Sequence, residues 1–130
     1  MHGGSLEKWE VHCLIVSEGL ATYYQEHWTG EEKPTRWGNV LTPEQEQEEW
    51  EEMQPLLGSR EYNHGEWFFG KEGKHPVWTG YSLGTAIVRS YFKRHPGAAM
   101  RKVVRMDSTD ILKKSNYMPS IILGNPEVSS

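Results

Sequence analysis

The sequence has little cysteine and lacks both a long apolar run and a secretory signal. Cys13 is its one cysteine, which excludes an internal disulfide and a four-cysteine zinc site. Because Cys13 lies in an apolar stretch, we expect a buried, reduced thiol. No apolar run reaches the roughly 20 residues that a membrane-spanning helix needs, and residues 1–5 have no basic start followed by an apolar segment. We therefore expect a cytoplasmic protein without a membrane partner.

An excess of basic charge is also missing, since the formal net charge is −4. Residues 1–70 carry 4 Lys/Arg and 14 Asp/Glu, whereas residues 71–130 carry 10 and 4. The two halves are complementary in charge and can pack together without an outside partner. The basic residues of the second half are spread over several predicted helices and form no recognisable motif, so we do not expect nucleic-acid binding.

Strand signals are rare, and residues 120–123 are the only candidate. Helical spacing, caps and breakers predict an all-α fold. Thr42, Pro43 and Gln45 are typical of a helix start with a capping box. Residues 60–73 are predicted to be irregular. The predicted helices cover residues 6–27, 43–54, 77–95, 98–105 and, starting at 107 or 108, up to 114. We expect a tag-like or truncated start over residues 1–5, a single helical domain over 6–117 and an irregular tail over 118–130.

The strongest apolar stretch, residues 11–24, has a carboxylate at its centre, Glu18. At about 100° per residue, Glu18 falls on a stripe that should face the core. The stripe comprises Val11, Leu14, Ile15, Glu18, Ala21 and Thr22. A buried carboxylate must be paired, hydrogen-bonded, protonated or bound to a metal, because an isolated buried charge is very unfavourable. Glu18 is therefore a candidate site residue, although a hydrogen-bonded core glutamate remains an alternative.

Two glycine positions predict a close helix contact. Gly80 and Gly84 stand four residues apart, which leaves a groove of small residues on one helix face. Gly19 weakens the first helix, and is expected where another backbone or a ligand lies beside Glu18.

Other catalytic patterns are not complete in this sequence. None of the six histidines has another histidine four residues away, so no local pair can hold a metal. The glutamates from Glu44 to Glu52 could suggest cation binding, but we interpret them as a solvated helix face, because calcium sites need turn-forming loops of Asp, Asn and Gly. Residues 80–84 match G-x-S-x-G, but this nucleophile motif requires a preceding strand in a parallel sheet, and none is predicted.

Several segments, in order, resemble the bacterial predicted zinc-dependent proteases (DUF2268). They are I-V-S-E-G-L-A at 15–21, L-T-P-E at 41–44, W-F-F-G at 67–70, P-V-W-T-G-Y-S-L-G at 76–84 and H-P-G at 95–97, with further similarity at 103–106 and 111–112. The resemblance covers about residues 10–117. It implies a zinc-dependent peptidase of zincin type in which Glu18 is the third metal ligand and Tyr81 stabilises an oxyanion.

The sequence departs from that family because the H-E-x-x-H helix, with two histidine ligands and the catalytic glutamate, is absent. The chain thus looks like the C-terminal half of such a protein. We expect no cofactor in this chain alone, zinc and a peptide substrate in a complete family protein, and no activity of the isolated chain. The alternative is a non-enzymatic α-helical protein-interaction module.

The resemblance also predicts a homodimer. If the Glu18 stripe and the Gly84 face normally pack on upstream helices, their absence leaves apolar surface, which a second copy would cover.

Overall fold

A computed structural model of the chain describes residues 9–28 and 35–119, and within these ranges the fold is all-α, as predicted. An antiparallel bridge between Lys71 and His75 is the β-type pairing that the described part of the chain contains. Residues 54–56 form a short 3-10 turn after the second helix. The six α-helices are α1 (Val11–Trp28), α2 (Pro43–Met53), α3 (His64–Phe69), α4 (Thr79–Arg94), α5 (Met100–Val103) and α6 (Ser108–Ser115).

The centre of the fold is the contact between α1 and α4, which α6 covers. Ile15 of α1, Leu83 and Ile87 of α4 and Ile111 of α6 are completely buried there. The contacts between α1 and α4 follow the same order along both helices. Gly19 contacts Gly84, and further along both helices Glu26 contacts Arg89. The two longest helices therefore lie side by side and run in the same direction.

Gly19 and Gly84 form the closest point of this contact, as their positions in the sequence predicted. A Cβ atom on Gly84 would overlap the carbonyl oxygen of Ile15, and one on Gly19 would overlap the carbonyl oxygen of Gly84. Only glycine permits this backbone approach. The Gly84 face is thus covered by α1 of the same chain, so this face is not the surface left over for a second copy. The homodimer itself stays a prediction.

The start of α2 agrees with its sequence signature. The Thr42 hydroxyl accepts a hydrogen bond from the Gln45 backbone N–H at 3.1 Å, and the Gln45 side chain accepts one from the Thr42 N–H at 3.0 Å. Pro43 occupies the first turn, where no N–H is required. The predicted helix over 43–54 is confirmed to within one residue.

The prediction of an irregular segment over residues 60–73 was wrong in part, because it contains α3. The Asn63 side chain caps α3 by accepting from the Glu66 N–H at 3.0 Å. Six residues are too few to show helical periodicity, so the sequence did not predict this helix.

α4 begins two residues later than predicted because Trp78 adopts a left-handed conformation with φ 62°. The helix predicted over 98–105 is reduced to the four residues of α5.

The predicted stripe on α1 is correct for the residues before Glu18 and wrong for Ala21, which is exposed. Val16, on another side of α1, is buried. The reason is that α1 is packed on more than one side, since it contacts both α4 and α6. The predictions for residues 1–8 and for 120–130, including the strand candidate, lie outside the described residues.

Across the described ranges, no helix combines the length and the apolar character needed to cross a bilayer.

Candidate functional site

Glu18 lies half-buried on α1, one residue before the Gly19–Gly84 contact. Within residues 9–28 and 35–119, the Glu18 carboxylate accepts no hydrogen bond and forms no ion pair. Burial raises its pKa, and His64, at the start of α3, opposes this shift with its charge. The predicted site residue is therefore a partly desolvated carboxylate whose oxygen atoms are not used by the fold.

Tyr81 lies on α4 close to this carboxylate. Burial raises the pKa of Tyr81, and the negative charge of Glu18 adds to that shift. The fold thus brings together the two residues that the sequence singled out. The Tyr81 ring packs edge-on against Phe68, with ring centroids 5.2 Å apart, and this contact sets its position.

An aromatic cavity adjoins Tyr81. Trp37, Trp78 and Tyr81 line a volume of about 210 Å³. The indole N–H of Trp37 donates to the hydroxyl of Thr22 on α1 at 3.2 Å, which fixes one wall. Trp78 has a left-handed backbone conformation, which is rare outside glycine, asparagine and aspartate, and its side chain forms the second wall. A cavity with three aromatic residues suits an apolar or aromatic group of a ligand.

Glu26, two turns after Glu18 on α1, has very different surroundings. Its carboxylate accepts from the Thr35 N–H at 2.7 Å, the Thr35 hydroxyl at 2.9 Å and the Asn39 amide at 3.0 Å. Arg89 of α4 donates to both of its oxygens, at 2.8 and 3.0 Å. Burial alone would raise the pKa of Glu26, but these hydrogen bonds and the Arg89 charge together lower it. Glu26 therefore ties α1, α4 and the segment after residue 34 together.

A third buried carboxylate, Glu49 of α2, was missed by sequence analysis. Its Oε1 lies 2.5 Å from Nδ1 of His75, and both side chains are nearly inaccessible to solvent. Burial raises the pKa of Glu49, the hydrogen bond to His75 opposes this, and the charges of Glu52 and Glu48 add to the rise. The interpretation of all these glutamates as a solvated face is thus wrong for Glu49. A signal did exist, because Glu49 precedes the apolar Met53 by four residues and shares its side of the helix.

His12 belongs to a separate network at the start of α1. Its Nε2 lies 2.8 Å from Glu10 Oε2, and its Nδ1 lies 2.6 Å from the Ser108 hydroxyl. Ser108 also donates to Cys13 Sγ at 3.5 Å, and Cys13 is half-buried rather than buried as predicted. This network joins the beginnings of α1 and α6, and His12 does not converge with Glu18.

Comparison of the sequence with models of protein families identified a matching family. The family described as predicted Zn-dependent protease (DUF2268) matches residues 5–113. Searches of curated proteins and of solved structures found no match. The match covers most of the chain, including Glu18, Tyr81 and the Gly19–Gly84 contact. The chain therefore belongs to the DUF2268 family of predicted Zn-dependent proteases.

Proposed function

We propose that this chain forms the C-terminal part of a zinc-dependent metallopeptidase, in which Glu18 is one of three protein ligands. A catalytic zinc site has three protein ligands and one open position, and carboxylate oxygen is among the ligands that zinc accepts. Two histidines and a general base would come from an H-E-x-x-H segment, which this sequence does not contain. The isolated chain would then be inactive as a peptidase.

The observation that supports this proposal is the free carboxylate of Glu18. Buried polar groups in folded proteins almost always have hydrogen-bond partners, and Glu26 on the same helix has several. Glu18 is half-buried, has no partner among the described residues and keeps contact with solvent, so its carboxylate is free to bind an ion. A carboxylate of this kind fits a metal ion, which would supply the missing positive charge.

The chain's own residues would then act around the ion. A bound zinc ion polarises the scissile carbonyl and lowers the pKa of a bound water. Tyr81, close to Glu18, would donate a hydrogen bond to the oxyanion that develops on the substrate. The cavity of Trp37, Trp78 and Tyr81 would receive an apolar side chain of a peptide. The Gly19–Gly84 contact would hold Glu18 and Tyr81 at a constant separation.

The test compares this chain alone with the same chain joined to an H-E-x-x-H segment of the family. Zinc content after dialysis and cleavage of a fluorogenic peptide are measured for both proteins. We expect peptide cleavage only in the joined protein. Glu18→Gln should weaken its zinc binding by about tenfold or more, since even residues that only support metal ligands contribute that much. Glu51→Gln, an exposed change on α2, is the matched control.

Equal zinc affinity in the joined protein with and without Glu18→Gln would contradict the ligand role. A folded joined protein that neither binds zinc nor cleaves peptide would favour the alternative, a non-enzymatic helical interaction module.

A further inference from the structure

The structure brings a second set of metal-binding groups together, away from Glu18. Glu49 and Glu52 stand three residues apart on α2, and His75 reaches them from the turn that precedes α4. One ligand atom from each lies within 4.8 Å of the others. We propose that Glu49, Glu52 and His75 bind a divalent transition metal ion such as zinc, at a site separate from Glu18.

His75 is held in place by atoms that a metal would not use. Its backbone N–H and carbonyl pair with the carbonyl and N–H of Lys71, at 2.8 and 2.9 Å. Its ring packs on Trp67, with centroids 4.1 Å apart. Glu49 is fixed on a helix beside the buried Trp50. Two of the three ligands are therefore positioned before any ion arrives, which lowers the entropic cost of binding.

Both residues are deeply buried, but an ion can still reach them. Glu49 and His75 are 5% and 4% exposed, and they pair only through Oε1 and Nδ1. Among the described residues, Glu49 Oε2 and His75 Nε2 have no hydrogen bond, and neither atom is sealed from solvent. Both residues also line an open depression of about 610 Å³, through which an ion can enter.

In the described part of the chain, the carboxylates of the proposed site have no lysine or arginine within ion-pair distance, although Lys71 and Lys74 also line the depression. Glu48 and Glu49 line it, and Glu52 lies beside them. No lysine or arginine in the described ranges lies within 4.0 Å of these three carboxylates, and Lys71 is paired with Glu66 instead. The carboxylates are thus left with the imidazole as their one polar side-chain partner in the described structure.

The donor set indicates which kind of ion. Imidazole nitrogen with two carboxylate oxygens suits zinc and neighbouring transition metals, whereas calcium and magnesium prefer oxygen alone. In the metal-free protein a proton lies between His75 Nδ1 and Glu49. An ion bound at Nδ1 would replace that proton, which would be released to solvent.

The test titrates the unmodified chain with zinc and measures bound ion by equilibrium dialysis. We expect one ion per chain. Glu52→Gln should weaken binding by about tenfold or more, and because Glu52 is exposed, this variant keeps its fold. Glu49→Gln removes a buried ligand and should weaken binding further, with circular dichroism as a check of folding.

Two controls separate this site from others. Glu51→Gln, on the same helix, should leave zinc affinity unchanged, and Glu18→Gln tests whether the ion binds at the proposed peptidase site instead. The proposal is overturned if the chain binds no zinc at millimolar concentration, if Glu52→Gln binds as tightly as the unmodified chain, or if Glu18→Gln abolishes binding. Only the last of these results would favour the Glu18 site in its place.

Discussion

Glu18 and Glu26 are two glutamates on the same face of the same helix, eight residues apart, with opposite surroundings. Glu26 accepts hydrogen bonds from Thr35, Asn39 and Arg89, and its pKa is lowered. Glu18 accepts none among the described residues, and burial raises its pKa. Glu26 therefore joins parts of the fold through its donors, whereas the half-buried carboxylate of Glu18 contributes no hydrogen bond to the described structure.

The contact between α1 and α4 holds both carboxylates in these surroundings. Gly19 and Gly84 lie between them, with Tyr81 on the side of Glu18 and Arg89 on the side of Glu26. A change that separates the helices should therefore disturb both sites, whereas a change at either carboxylate should disturb only one.

The largest effect is expected for Gly84→Ala. The added Cβ would overlap the carbonyl oxygen of Ile15, and a backbone atom cannot move aside as a side chain can. We expect the free energy of unfolding to fall by about 3 kcal/mol or more, the upper range for overpacking. Chemical denaturation measures it. Gly97→Ala is the control, because a Cβ there would meet nothing within 4 Å. Equal stability of the two variants would mean that the helices are further apart than described.

Glu26→Gln should have the next largest effect. The substitution removes the negative charge that faces Arg89 and weakens the hydrogen bonds from Thr35. We expect the free energy of unfolding at pH 7 to fall by about 2 kcal/mol, as for hydrogen bonds to charged groups. This value is kept small because the Arg89 side chain is 36% exposed, so solvent screens its charge. Thermal melting measures the loss, with Glu51→Gln as control.

The contribution of Glu26 to stability should depend on pH, in a direction set by its lowered pKa. The pKa of Glu26 is lower in the folded than in the unfolded protein, so its stabilisation is complete above the unfolded value of about 4.3. It is lost as the pH falls through the folded value. Glu26→Gln should flatten this part of the acid-unfolding curve, and an unchanged curve would argue against the role assigned to Glu26.

The sequence predicted the long helices and one of the three wholly or partly buried carboxylates, Glu18. α1, α2 and α4 have clear start signals or apolar spacing, and the Gly84 contact follows from small residues at helical spacing. Glu18 was recognised because its neighbours on α1 are apolar. Glu26 and Glu49 were not, because their partners, such as Arg89 and His75, lie 63 and 26 residues away in the chain. Only tertiary packing brings these pairs together. Glu49 is also surrounded in the sequence by other glutamates, so the sequence did not indicate that it is buried.

The smallest effect is expected for Glu18→Gln, and its sign distinguishes the two glutamates. Because burial raises the pKa of Glu18 in the folded chain, its ionised form opposes folding. This cost is absent below the unfolded value of about 4.3 and develops as the pH rises through the folded value. Glutamine stays neutral, so the variant should equal the unmodified chain near pH 4 and be slightly more stable at pH 7, by about 0.5 kcal/mol or less. Denaturation of both proteins at the two pH values measures the difference, with Glu26→Gln run in parallel because its effect has the opposite sign. If Glu18→Gln instead loses as much stability at pH 7 as Glu26→Gln, then Glu18 has partners within the fold, and the argument for a ligand at its carboxylate fails.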